Sequence, residues 1–206
     1  MKILIVSMNH APELTGIGKY VGEMADWLET RGAEVRVVTA PPYYPEWQVA
    51  DGYSGRGYRR ERRGRTLVIR CPLYVPRRPT AATRLLHLAS FALSSAPAIL
   101  WQALAWRPDV VMAIEPPLLC SPTALAAAKL VRARTWLHVQ DFEVDAAFDL
   151  GVLDGGGALR GVATRFERWL MAAFDRVSTI SSAMDARLAA KGVPDEKRFL
   201  FPNWVD

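Results

Sequence analysis

The sequence predicts an α/β fold, a Rossmann-like parallel sheet flanked by helices, and three observations predict it. Apolar runs recur at residues 3–6, 35–39, 67–69, 110–114, 136–139 and 177–180, nearly unbroken by polar residues, as strands covered on both faces require. Helical periodicities lie between most of these runs, so strand and helix alternate as right-handed crossovers demand. Half of the 206 residues are hydrophobic and 23% are charged, which suits a packed core and argues against global disorder.

The first run starts at Ile3, and its four apolar residues are too few for a secretory signal, so export is not expected. From 17 to 31, Ile17, Tyr20, Val21, Met24 and Leu28 fall on one helix face, with Thr15 as N-cap and Gly32 as stop. Residues 41–66 carry four Gly, three Pro and five aromatics, and read as a long loop, a type of segment that is often functional. Residues 121–132 read as a helix with Pro122 in its first turn, as do 159–174 and 182–191, the last closed by Gly192 and Pro194. Cys71 and Cys120 make no disulfide framework and no zinc spacing; two reduced core thiols in a cytosolic protein are expected.

Two segments point to a surface. The net charge is +5, and six arginines, among them Arg59, Arg60, Arg62 and Arg63, fall between residues 56 and 65 with Glu61 alone opposing them. Such a run suits an anionic partner, unless it is simply a solvated loop. Residues 85–106 contain no formal charge and are long enough to span a bilayer. Leu85, Leu88, Ala89, Ala92, Leu93, Ala96, Leu100 and Leu104 form a helical stripe, with Phe91, Trp101 and Trp106 largely off it. A helix packing that stripe on the sheet and turning its aromatics outward fits an interfacial anchor; a core helix and a true span are the alternatives.

Four motifs can carry chemistry. After the first strand, Gly16 and Gly18 open a helix, where backbone N–H groups can approach a phosphate and Lys19 can add charge. The pattern departs from a dinucleotide fingerprint, and Thr39 rather than an acid ends the second strand, so no nicotinamide cofactor is expected. A purely structural turn remains the alternative. Glu115 follows a strand, where sheet ligands gather; it faces a cleft or is a solvated acid on a rigid turn. His138 and Gln140 point to one side of their strand, and Asp141, Glu143 and Asp145 crowd its end. Such acids can bind sugar hydroxyls, position an acceptor or hold a metal; Asp141, at the strand mouth, is the better candidate, and His138 is either a satisfied core residue or a catalyst. No second His completes a metal set, and none is expected. The fourth motif is the end of the sequence, Phe201 to Asp206.

Taken together, residues 9–20 (NHAPELTGIGKY), 37–47 (VVTAPPYYPEW), 71–78 (CPLYVPRR), 86–94 (LHLASFALS), 138–147 (HVQDFEVDAA), 176–181 (RVSTIS) and 201–206 (FPNWVD) resemble the N-terminal domain of a family 4 glycosyltransferase of GT-B architecture. The group most similar is that of colanic-acid-type fucosyltransferases. The resemblance implies two facing Rossmann-like domains, of which residues 1–206 form the acceptor side and the donor-binding C-terminal domain is absent. No two glutamates here are eight apart, as that domain would carry. It implies retaining transfer from a nucleotide sugar, GDP-fucose among the candidates, to a lipid-linked or polysaccharide-precursor acceptor in exopolysaccharide synthesis, with no further cofactor.

By the same resemblance, Gly16, Ile17, Gly18 and Lys19 meet the donor diphosphate, with Glu115, Glu143 and Asn203 as further substrate contacts. Gln140 and Asp141 stand near the reacting sugar. Asn203, Val205 and Asp206 lead into the second domain. The chain departs from the pattern at Gln140, where many relatives have His, and at Trp204, where many have Gly. One domain alone is expected to be inactive, and to sit on the inner face of the bacterial cytoplasmic membrane through Arg59, Arg60, Arg62, Arg63 and Trp101. The competing reading is a non-catalytic module that binds an anionic membrane or a partner. Nucleic acid is not an expected partner, since no recognised module accompanies the arginines.

Overall fold

The computed structural model describes residues 1–149 and 156–204, so Val205 and Asp206 lie outside the described residues. In chain order the elements are β1 (Lys2–Val6), α1 (Gly16–Thr30), β2 (Glu34–Thr39), β3 (Arg59–Arg63), β4 (Thr66–Arg70), α2 (Ala81–Trp106) and β5 (Val110–Glu115). They continue with α3 (Ser121–Val131), β6 (Arg134–Val139), α4 (Glu143–Asp149), α5 (Gly156–Ala173), β7 (Arg176–Thr179), α6 (Ser182–Ala190) and β8 (Arg198–Leu200). The sheet order is β3-β4-β2-β1-β5-β6-β7-β8. Every pairing is parallel except β3 with β4. The chain builds outward from β1 through β2 and β4, then returns to β5 on the other flank. The switch point therefore lies between β1 and β5, the place where sheets of this kind bind ligands, at the carboxyl ends of the strands.

Alternate residues of each strand feed two cores, because successive side chains point to opposite faces. Leu4, Val6, Val38, Val111, Leu137 and Val177 pack with Phe91 and Ile99 of α2, Leu125 of α3, Leu170 of α5, and Phe174 just past its end. Ile3, Ile5, Val35, Val37 and Met112 pack with Val21, Met24 and Ala25 of α1. The helix boundaries have local causes. Gly32 (φ +84) and Gly192 (φ +88) adopt the left-handed turn that closes α1 and α6, and the N–H groups of Ala33 and Val193 return to the carbonyls of Leu28 and Leu188. The Ser181 hydroxyl accepts from the Met184 N–H at the start of α6. Thr15 occupies the N-cap of α1, but its side chain makes no capping bond.

Three expectations are corrected. Residues 59–63, read as loop, form β3, an edge strand whose five-residue run is RRERR; charge on an edge strand discourages further pairing. The buried face of α2 is His87, Phe91, Ser95, Ile99, Gln102, Ala103 and Trp106, rotated from the expected stripe. Phe91 and Trp106 turn inward, and Leu93 and Leu104 are exposed; of the three aromatics, Trp101 alone faces out, at 61% exposure. The helix is long and apolar enough to cross a membrane, yet it lies along β1, β2 and α3 as part of the domain. The short helix α4 and strand β8 were not expected from periodicity.

Candidate active site

The loop from β1 to α1 is built around a buried carboxylate. Glu13 is 5% exposed. Its Oε1 accepts the backbone N–H groups of Tyr43 (3.0 Å) and Tyr44 (3.1 Å), and its Oε2 accepts from Asn9 Nδ2 (2.9 Å). Burial raises its pKa, and these donors oppose the shift. A Cβ on Gly18 would stand 2.3 Å from Glu13 Oε2 and 2.6 Å from Glu13 Cβ. Gly18 is therefore needed for this packing, a reason to be glycine that its place in the turn did not reveal. Gly16 is the exposed turn residue, at φ +59, with the Tyr44 ring 3.5 Å from its Cβ position. No acid occupies the first turn of α1, so the positive end of its dipole stays unneutralised from within the helix. Ile17 is half-buried against the α1-side core. Lys19 pairs with Glu23 at 3.7 Å.

Beneath the loop, Arg70 at the end of β4 is 2% exposed. It donates to the carbonyls of Ala11 and Ala40 and to Glu61 Oε1. This arginine, five residues past the basic run, is thus a clamp on the glycine loop. His10 Nδ1 lies 3.0 Å from the same Ala11 carbonyl. Burial first, and Arg70 second, lower the His10 pKa to about 4.

Across the switch point, Glu115 does not face a cleft; it is fully buried. Neither of its oxygens has a partner in hydrogen-bond geometry. Its pKa is raised well above the carboxylate range by burial and then by Glu143 and Glu167. Apolar Ile114 and Leu118 on either side of its turn hold the segment inward. Glu143 turns in as well, and its Oε2 accepts the Leu118 N–H at 2.6 Å. Burial, reinforced by Asp141 and Glu167 against that bond, pushes its pKa up to about 7. Both acids turn their carboxyl oxygens into the domain. Lys191 anchors the other end of this group, 2.6 Å from Glu167 and 2.8 Å from Asp145.

The mouth keeps Gln140 and Asp141. Asp141 is exposed at the end of β6. Gln140 Oε1 accepts from Asn203 Nδ2 at 3.3 Å, which brings together two residues 63 apart in sequence. Next to Asn203, the Trp204 indole donates to Glu23 at 2.6 Å and stands edge-on to Tyr20 at 5.5 Å. The departure Trp204 is thus a docked residue that ties the chain to α1. His138 is buried; its Nδ1 lies 2.9 Å from Ser178 Oγ, and burial lowers its pKa to about 4. It is a satisfied core residue. Among the described residues, no group of three His, Cys, Asp or Glu is arranged to hold a metal ion.

Sequence reasoning missed Glu13, because nothing in the spacing of a nine-residue loop marks a buried acid. It also missed a cavity of about 880 Å³ beside α2, lined by Trp47, Arg56, Tyr74, Arg77, Ser90 and Ser94 among others. The arginines of β3 divide. Arg63 pairs with Asp26 of α1 at 3.1 Å, and Arg59 donates to the Gly52 carbonyl. Arg62 shares a cross-strand row with Leu67 and Arg36, and Arg36 bonds Gln102 of α2. Arg62, and Arg60 two residues away, therefore lie on the α2 side.

The arrangement offers a helix N-terminus with no acid of its own in the first turn and polar groups at a strand mouth, a geometry suited to an anionic leaving group beside a sugar. Residues 15–204 match the glycosyl transferase 4-like domain. The chain is 51% identical over its full length to the inferred colanic acid biosynthesis glycosyl transferase WcaI of Escherichia coli (strain K12), and spans about half (51%) of that protein. Among solved structures, it is similar to sucrose-phosphate synthase from Thermosynechococcus elongatus (TM-score 0.60, 14% identity, 98% of this chain and 47% of that one). It is also similar to the catalytic domain of starch synthase IV from Arabidopsis thaliana (TM-score 0.59, 14% identity, 98% and 51%). At such identities these two show the fold alone, one half of a GT-B glycosyltransferase. A family match that runs from the cap of α1 to the tryptophan docked on it leaves one assignment: the chain belongs to the glycosyl transferase 4-like family.

Proposed function

We propose that this chain is the acceptor-side half of a retaining glycosyltransferase in exopolysaccharide synthesis, moving a sugar from a nucleotide sugar to a lipid-linked acceptor. GDP-fucose is a candidate donor. The 51% identity to WcaI over the whole chain carries the reading. In it, the turn at the start of α1, Gly16, Ile17 and Gly18 with Lys19, takes the donor diphosphate as negative charge develops on the leaving group. Asp141 and the Gln140–Asn203 pair contact the sugar. Glu115 and Glu143 hold the strand ends from inside. The acceptor enters the cavity beside α2, where Arg56 and Arg77 suit a phosphate and Trp47 and Tyr74 suit a sugar ring or an apolar chain.

A surface supports the membrane part of this reading. Leu86, Leu93, Pro97, Trp101 and Leu104 recur at 7, 4, 4 and 3 residues along the outer side of α2, and Arg60 and Arg62 lie on the same side of the sheet. A peripheral position on the inner, anionic face of the cytoplasmic membrane follows. The same surface favours the second reading, a binding module without chemistry.

The test is transfer of labelled sugar to a polyprenyl-diphosphate-linked acceptor. The chain alone is expected to turn over no nucleotide sugar, and the chain together with a donor-binding half from a longer family member is expected to transfer. Turnover by the chain alone overturns its inactivity. Absence of transfer with every nucleotide sugar in the combined protein favours the binding module.

A further inference from the structure

We propose that Glu13 is a positioning residue that couples the glycine turn at the start of α1 to the loop lining the cavity beside α2. As a role in catalysis this rests on the transferase reading above; the tether itself does not.

The contacts form a continuous path. On one side, Glu13 Oε2 and Cβ occupy the space that a side chain at position 18 would need, so the carboxylate is packed into the first turn of α1. On the other side, Glu13 Oε1 holds two consecutive N–H groups, those of Tyr43 and Tyr44. The Tyr43 carbonyl accepts from the Gln48 N–H at 3.3 Å. The Tyr43 ring stands 5.8 Å from that of Trp47 and 4.7 Å from that of His87 on α2. Gln48 and Trp47 line the cavity. The Tyr44 ring closes the path back to Gly16.

One buried carboxylate thus serves both loops, and charge-assisted bonds to it are among the stronger ones available. A displacement of the glycine turn by a bound diphosphate has to move Glu13, or be resisted by it. Either way the change reaches the peptide of Tyr43 and the wall of the cavity. No other side chain among the described contacts joins these two loops through two backbone N–H groups at once. Arg70 provides a second brace at the base, on Ala11 and Ala40, and fixes the hinge from which both loops leave the sheet.

Amide hydrogen exchange on the full 206-residue chain tests the coupling. Glu13→Ala is expected to speed exchange at Tyr43 and Tyr44 and at residues 16–19 together, by about tenfold or more, the factor that loss of a charge-assisted bond implies. Strands β1 and β2 should be unchanged. Glu13→Gln keeps a carbonyl oxygen for both tyrosine amides and should raise exchange in both loops by a smaller common factor. Loosening confined to one loop, in either variant, overturns the proposal.

A second arm uses wild type and inorganic pyrophosphate. Exchange at residues 16–19 and at 43–48 is expected to slow with one midpoint, and slowing at 16–19 alone overturns the coupling. Pyrophosphate that leaves residues 16–19 untouched counts against the diphosphate reading instead, and the ligand-free comparison of Glu13→Gln with wild type then decides the tether by itself.

Discussion

Two glycines of one turn have different physical reasons to be glycine, and substitution separates them. Gly16 has a left-handed φ of +59 and only an ordinary contact with the Tyr44 ring at its Cβ position, so Gly16→Ala should cost about 1 kcal/mol through backbone strain. Gly18 has an ordinary φ and no space, so Gly18→Ala must displace Glu13 and should cost about 1–3 kcal/mol. Chemical denaturation of the two variants measures both; equal losses would remove the packing role assigned to Gly18. At Glu143, the folded protein holds a proton between the ordinary 4.5 and about 7 that the unfolded chain has released. The stability this contributes is complete below pH 4.5 and is lost as pH rises through 7. Gln has no proton to lose and keeps an oxygen for the Leu118 N–H. The stability difference between Glu143→Gln and wild type should therefore move in favour of the variant across that window, by on the order of 3 kcal/mol. Thermal melts on either side of the window check the sign, and a pH-independent difference refutes it.

Helix α2 shows how an element can be predicted correctly while its orientation is not. Its existence followed from a long uncharged run with helical spacing. Its inner face did not, because leucines and alanines surround the axis and several stripes of similar hydropathy compete. Contact with the sheet chose the face carrying Phe91 and Ile99, both 0% exposed, and left Leu93 at 78% exposure. Ile99→Ala should cost about 2–5 kcal/mol, and Leu93→Ala almost nothing, in the same denaturation measurement. Strand β3 is the converse case. A run of RRERR has no apolar alternation to mark it, and it becomes a strand because its backbone pairs with β4 while Glu61 meets Arg70 and Arg63 meets Asp26.

At the scale of the whole molecule, the sheet brings one glycine turn, one strand mouth and the segment at 203–204 to the same edge. The Trp204–Glu23 and Asn203–Gln140 bonds bind that segment to both sides of the switch point. A different surface, the outer side of α2 with Arg60 and Arg62, combines apolar and cationic groups. Flotation with vesicles should show binding to anionic membranes that weakens as salt is raised. Arg60→Glu with Arg62→Glu should reduce it, and Trp101→Ser should reduce it independently. Equal binding to neutral vesicles would refute the charge contribution, and no binding to either would remove the membrane from the proposal.

The sequence by itself determined the strand–helix alternation, six of the eight strands, and the glycine stops at Gly32 and Gly192, because these depend on local periodicity and backbone conformation. It also placed Gln140 and Asp141 at the end of a strand and Gly16 at the start of a helix. Only the tertiary structure decided which groups are exposed there. Glu115 and Glu143 read as acids near a mouth and Glu13 went unread, yet all three turn inward: backbone N–H groups receive Glu13 and Glu143, and apolar neighbours hold the Glu115 segment in. Burial of a polar side chain depends on what folds against it from distant parts of the chain, here Tyr43 for Glu13 and Leu118 for Glu143, and no local pattern encodes that.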